Sequence, residues 1–150
     1  MAAFDSTPPE VIIEGIFSYV HPIELWQCRK VCRAWKRWIG LYFRTVRWLD
    51  FSDSYSEYCL TAEGFRLIVK SLHMLRGLNL GRCFHCATEN TLTCLTVGCR
   101  SLEVLSVPCC REVTDNVLVA IAENCPHVRE LNFNRCFKVI IDNVIFSDTS

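Results

Sequence analysis

One pattern of apolar residues recurs four times in the chain, and few folds can accommodate it. Its fullest form is Leu102-x-x-Leu105-x-Val107-x-x-Cys110. Leu75-x-x-Leu78-x-Leu80-x-x-Cys83 and Val128-x-x-Leu131-x-Phe133-x-x-Cys136 repeat it, and Val46-x-x-Leu49-x-Phe51-x-x-Ser54 is a weaker copy. The starting positions 46, 75, 102 and 128 are spaced by 29, 27 and 26 residues. The alternation at Leu105 and Val107 turns one face of a short strand inward, because strand side chains alternate with period two. A helical pattern follows each of the first three strands: Phe65, Ile68, Val69 and Leu72; then Leu92, Leu95 and Cys99; then Val117 or Leu118 with Ile121 and Ala122. A strand and a helix in about 26 residues cannot bury both apolar faces alone, so such units must stack on one another.

Stacked units of this kind predict an α/β arc with parallel strands inside, helices outside and right-handed crossovers. The first strand is expected over Arg47–Ser52, followed by a polar loop at Asp53–Cys59. Thr61 is expected to cap a helix over Ala62–Leu72. Thr88 or Glu89 begins the next helix, and a third runs from Val117 to Ala122. The outward strand positions then line a concave face. Trp48, Asp50, Asn79, Ser106, Glu130 and Asn132 are its candidate partner-binding residues, small and polar for the most part and without concentrated charge. Asp142-Asn143-Val144-Ile145 echoes Asp115-Asn116-Val117-Leu118, yet the sequence stops at Ser150 before a full helix. The arc is therefore expected to be C-terminally incomplete, with Val139, Ile140, Ile141, Val144, Ile145 and Phe146 lacking a repeat to pack on. The repeats resemble the cysteine-containing subtype of the leucine-rich repeat, about three full copies plus a partial one over residues 46–150.

Ahead of the repeats the pattern changes. Pro8-Pro9-Glu10 reads as a helix start, since proline suits the first turn and glutamate the positive helix end. The helix expected to about Val20 is apolar nearly all round: Glu10, Glu14 and Ser18 form one narrow polar stripe. Such a helix is normally covered on more than one side, which implies a partner. Gly15 in its middle would cost about 1 kcal/mol relative to alanine. His21-Pro22 breaks the chain before a second helix, Ile23 to about Val31, and a third, Arg33 to about Ile39. Arg29, Lys30, Arg33, Lys36, Arg37, Arg44 and Arg47 fall between Gln27 and Leu49 with no acidic residue among them. Since the whole chain has formal net charge +0, this local excess is either a solvated face with its stems over apolar surface or the docking side for an acidic partner.

Pro9-Glu10-Val11-Ile12-Ile13-x-x-Ile16-Phe17-Ser18-Tyr19-Val20, then Pro22-x-Glu24-Leu25, then Arg29-x-Val31-Cys32-Arg33-Ala34-Trp35-Lys36, resembles an F-box over residues 8–45. The resemblance implies a three-helix module that docks the acidic adaptor Skp1 and, through it, a cullin-RING ubiquitin ligase. Pro9, Ile12, Ile16, Leu25, Val31 and Trp35 are the implied Skp1-binding residues. An F-box followed by leucine-rich repeats is the layout of F-box/LRR substrate receptors, non-catalytic subunits that hold a protein substrate for ubiquitination. Two departures from the family pattern bear on affinity for Skp1. Thr7 or Pro8 replaces the usual leucine before the first proline, and the Leu-Trp pair that often closes the box is absent after Tyr42.

Other chemistry is weakly represented. The 11 cysteines include Cys83-x-x-Cys86 and Cys109-Cys110, near His85, but Cys83, Cys110 and Cys136 occupy one repeat position, as do Cys99 and Cys125. The periodic explanation, small buried residues bonded to turn backbone, competes directly with zinc. Among the cysteines off these rows, Cys32 and Cys59 are the ones to test. His21, His73, His85 and His127 accompany no hydrolase-type serine or cysteine motif, and no glycine-rich phosphate loop is present. The reading is therefore no catalysis, no metal and no cofactor. No apolar run approaches the roughly 20 residues of a membrane span, and no secretory pattern opens the chain, which points to reduced thiols in cytosol or nucleus. Two rivals stand beside the adaptor reading. The basic third helix after a short turn could serve nucleic acid, although Trp35, Trp38 and Ile39 make it heavily apolar. The arc could also be an interaction scaffold without a ligase role.

Overall fold

A computed structural model describes residues 7–52, 60–136 and 138. The loop expected at 53–59, Cys59 and the partial repeat expected beyond residue 138 lie outside the described residues. The chain opens with three short helices: α1, Pro9–Gly15; α2, Pro22–Cys28; and α3, Arg33–Thr45. Strand β1, Trp48–Asp50, follows α3 almost directly. Helices and strands then alternate: α4, Ala62–Val69; β2, Gly77–Asn79; α5, Glu89–Gly98; β3, Val104–Ser106; α6, Asp115–Asn124; and β4, Glu130–Asn132. A 3-10 stretch, Gly81–Cys86, intervenes between β2 and α5.

The four strands form one parallel sheet in sequence order. Leu49 pairs with Leu78, Leu78 with Leu105, and Leu105 with Leu131. That register is the one the repeat alignment requires, and all four leucines are buried. Phe65, Ile68 and Val69 from α4 with Leu72 just beyond its end, then Leu92, Leu95 and Cys99, then Val117 and Ile121, close over the same side of the sheet and are buried with it. Caps fix where two of the helices begin. Thr61 Oγ1 accepts from the Gly64 amide at 3.0 Å, and Thr88 Oγ1 accepts from the Thr91 amide at 3.2 Å.

The N-terminal helices differ in detail from the expectation. α1 stops at Gly15, and a 3-10 turn, Phe17–Tyr19, replaces its last turn. Gly15 thus ends the helix instead of interrupting it. Its low helix propensity falls where the backbone changes, and the turn carries Phe17 into the core. α3 is longer than expected, running to Thr45, which places Phe43 and Val46 inside. One continuous core therefore spans the helical part and the sheet. His21 meets Phe51 with ring centroids 6.3 Å apart, Trp26 meets Phe43 at 6.1 Å, and Phe51 meets Phe65 at 6.5 Å. Gly64 is buried at this seam, where an added Cβ would lie 3.1 Å from Trp26 Nε1.

Candidate docking surfaces

Helices α1 to α3 pack around Ile12, Phe17, Ile23, Leu25, Trp38, Ile39 and Phe43, all buried. Phe17 sits against Trp35 at 5.5 Å and edge-on to Tyr42 at 6.3 Å. The six residues that sequence marked for docking divide into two groups. Ile12 and Leu25 lie inside this core and have almost no surface to offer a partner. Ile16 is 43% exposed and Val31 66%, while Pro9 and Trp35 are half-buried. Tyr19, 86% exposed, and Val11 add apolar area that the sequence pattern did not single out for docking. The helical wheel records hydrophobicity but is silent on which flank the same chain already covers.

Beside these residues lies the basic run. Arg33, Lys36, Arg37, Arg44 and Arg47 are exposed, and among the described residues none of them has a carboxylate partner. Arg29 is spent differently: its guanidinium lies 4.0 Å over the Trp26 ring, an electrostatic attraction to the ring face. Residues 6–45 match the family model F-box-like. The F-box-like domain therefore coincides with the three-helix unit, and domains of this kind generally bind Skp1 in SCF ubiquitin ligases and are typically non-catalytic adaptors.

Downstream of the F-box-like domain, the strand register brings the other predicted residues into two rows. Trp48, Gly77, Val104 and Glu130 form one; Asp50, Asn79, Ser106 and Asn132 form the next. Trp48 is 56% exposed, and its indole lies across Gly77, where a Cβ would come within 2.0 Å of Cε3. Only glycine leaves room for that ring. Three residues of the second row are partly committed to the turns that follow the strands. Asp50 Oδ1 accepts from the Ser52 amide (2.8 Å), Asn79 Oδ1 from Gly81 (3.0 Å) and Asn132 Oδ1 from Asn134 (3.0 Å). Such turns explain Asp or Asn at these positions independently of any partner. Asn132 also donates to Ser106 Oγ at 3.2 Å.

The cysteine rows are used internally. Four buried thiols donate to a main-chain carbonyl of the preceding repeat: Cys86 to Leu60 (2.7 Å), Cys99 to Leu72 (2.6 Å), Cys110 to Ala87 (2.9 Å) and Cys136 to Val107 (3.1 Å). Cys125 reaches the carbonyls of Thr96 and Cys99, both at 3.5 Å. Burial pushes the Cys86 and Cys99 thiols up to about 12 and that of Cys125 to about 11, which keeps them protonated as donors at neutral pH. His85 Nε2 lies 2.9 Å from the Leu60 carbonyl. Among the described residues no three His, Cys, Asp or Glu side chains come together in a way that could hold a metal ion. No helix among them is long and apolar enough to cross a membrane. Cys32 is the exposed residue preceding α3, and its side chain makes no capping hydrogen bond.

Proposed function

We propose that this chain is a substrate-recognition adaptor of a Skp1–cullin–F-box ubiquitin ligase. The F-box-like match over residues 6–45 carries the reading. Pro9, Ile16, Val31 and Trp35 supply the Skp1 contact, joined by the exposed Val11 and Tyr19, while Ile12 and Leu25 support them from within. The basic α2–α3 surface faces an acidic adaptor and speeds its approach, since complementary charge raises association rates.

In this reading the parallel sheet with its outer helices is a leucine-rich-repeat arc, and the short passage from α3 into β1 resembles that of F-box/LRR-repeat protein 15. The arc holds a protein substrate on the face of Trp48, Asp50, Asn79, Ser106, Glu130 and Asn132, in the cytosol or nucleus. The chain performs no bond chemistry. It raises the local concentration of substrate lysines beside the ubiquitin-charged conjugating enzyme. Co-expression of the full chain with Skp1 tests the proposal. Stable co-purification that is lost on Ile16→Asp with Val31→Asp is the expected result, and absence of any complex would overturn it.

A further inference from the structure

The residue just before each strand forms a column along one rim of the sheet: Arg47, Arg76, Glu103 and Arg129. Their main chains are stacked rung on rung. Arg76 and Gly77 amides donate to the Arg47 carbonyl, Glu103 and Val104 amides to Arg76, and Arg129 and Glu130 amides to Glu103. Adjacent strands of a sheet are about 4.8 Å apart, so the column gathers three arginines and one glutamate along four neighbouring strands. Glu103 resolves the repulsion at one end. Its carboxylate takes Arg76 through Nε (2.6 Å) and also Nη2, and Arg129 Nη2 at 3.4 Å. The Arg47–Arg76 step has no such acid: Arg47 is exposed and has no carboxylate partner among the described residues. Arg76 has five N–H donors in all and remains partly exposed. Next to this step, one residue along each strand, the Trp48 indole lies on Gly77 with its outer face open.

We infer that the Arg47–Arg76 step receives a carboxylate from a protein partner, flanked by an apolar side chain that rests on Trp48. Glu103 shows within the same molecule how one carboxylate bridges two arginines of this column. An acidic–apolar segment repeats that arrangement one rung earlier and gains an aromatic platform. Asp50 and Glu130, acids on the strands themselves, repel such a segment from the middle of the face and keep it at the rim. The inference builds on the reading that this side of the sheet holds a protein, and it specifies the chemistry of that protein as acidic. It does not depend on Skp1.

The test is fluorescence anisotropy on the full 150-residue chain with three labelled probes: a twelve-residue peptide alternating glutamate and leucine, its glutamine counterpart, and a twenty-nucleotide single-stranded oligo-dT. The glutamate probe should bind and should weaken as salt rises; the glutamine probe should bind at least tenfold more weakly. Trp48→Ala should weaken the glutamate probe several-fold. Arg47→Glu is the decisive variant. It should abolish binding and also raise the melting temperature, because the new carboxylate would occupy the step beside Arg76 from within. A lower melting temperature for that variant, or equal binding of the two peptides, would overturn the inference. So would tighter binding of oligo-dT than of the glutamate probe, which would identify the rim as a nucleic-acid surface.

Discussion

A protonated thiol bonded to a carbonyl is a modest but pH-dependent contribution to stability. For Cys99 the folded value, about 12, lies above the ordinary thiol value of 9.0. Its contribution is therefore complete below pH 9 and is lost as pH rises toward the folded value. The melting temperature should fall progressively across that alkaline range, and Cys99→Val should flatten the slope. At neutral pH the same variant should cost about 1–3 kcal/mol, since the Leu72 carbonyl loses its buried donor; chemical denaturation measures both. The sequence announced this role through spacing alone, because Cys99 and Cys125 share one repeat position, as do Cys110 and Cys136. It did not announce the column of Arg47, Arg76, Glu103 and Arg129. Those residues are 26 to 29 positions apart and mean nothing together until strand register makes them neighbours.

At the scale of elements, two joints matter. Glu89, in the first turn of α5, accepts from Thr114 Oγ1 just before α6 and from Asn116 Nδ2 at 3.0 Å. These bonds, the Thr114 one foremost, hold its carboxyl below the usual range. Stability from this link is present above the ordinary glutamate value and is lost as pH falls through the lower folded one. Glu89→Gln should therefore reduce the acid-side decline of the melting temperature. The second joint is Gly64 against Trp26. Gly64→Val must displace Trp26, Thr61 or Leu60 side chains, which crowd the site at 3.1 to 3.4 Å. Overpacking of this kind typically costs about 1–3 kcal/mol, and tryptophan fluorescence should report the shift. Helix existence was readable from the apolar periodicity. The end of α1 was not, because a glycine penalty of about 1 kcal/mol does not by itself decide between a further α turn and a 3-10 turn. Packing of Phe17 decides it.

For the molecule as a whole, burial separates the six proposed docking residues into exposed ones that can meet a partner and buried ones that can only support them. Ile16→Asp or Val31→Asp should leave stability within about 0.5 kcal/mol, as surface changes usually do, while weakening Skp1 capture. Leu25→Ala should cost about 2–5 kcal/mol and lower capture only in proportion to unfolding. Parallel measurement of the melting curve and of Skp1 retention on an affinity column would show the two patterns, and a stable Ile16→Asp variant with full retention would remove Ile16 from the contact. All six residues read alike in the sequence because the F-box pattern lists hydrophobic positions without saying which of them face inward.

The shared core at the seam also bears on how the chain is made. His21 meets Phe51 and Trp26 meets Gly64, so the first three helices leave the ribosome with part of their packing surface still unsynthesised. The gap from Thr45, the end of α3, to Val69, the end of α4, is 69 − 45 = 24 residues. At about 5–20 residues per second, the nascent helices wait between roughly one and five seconds for their cover. During that interval His21 and Trp26 are open to chaperones and to neighbouring nascent chains. Pausing of translation between these two points should therefore lower the yield of soluble protein more than an equal pause after Val69.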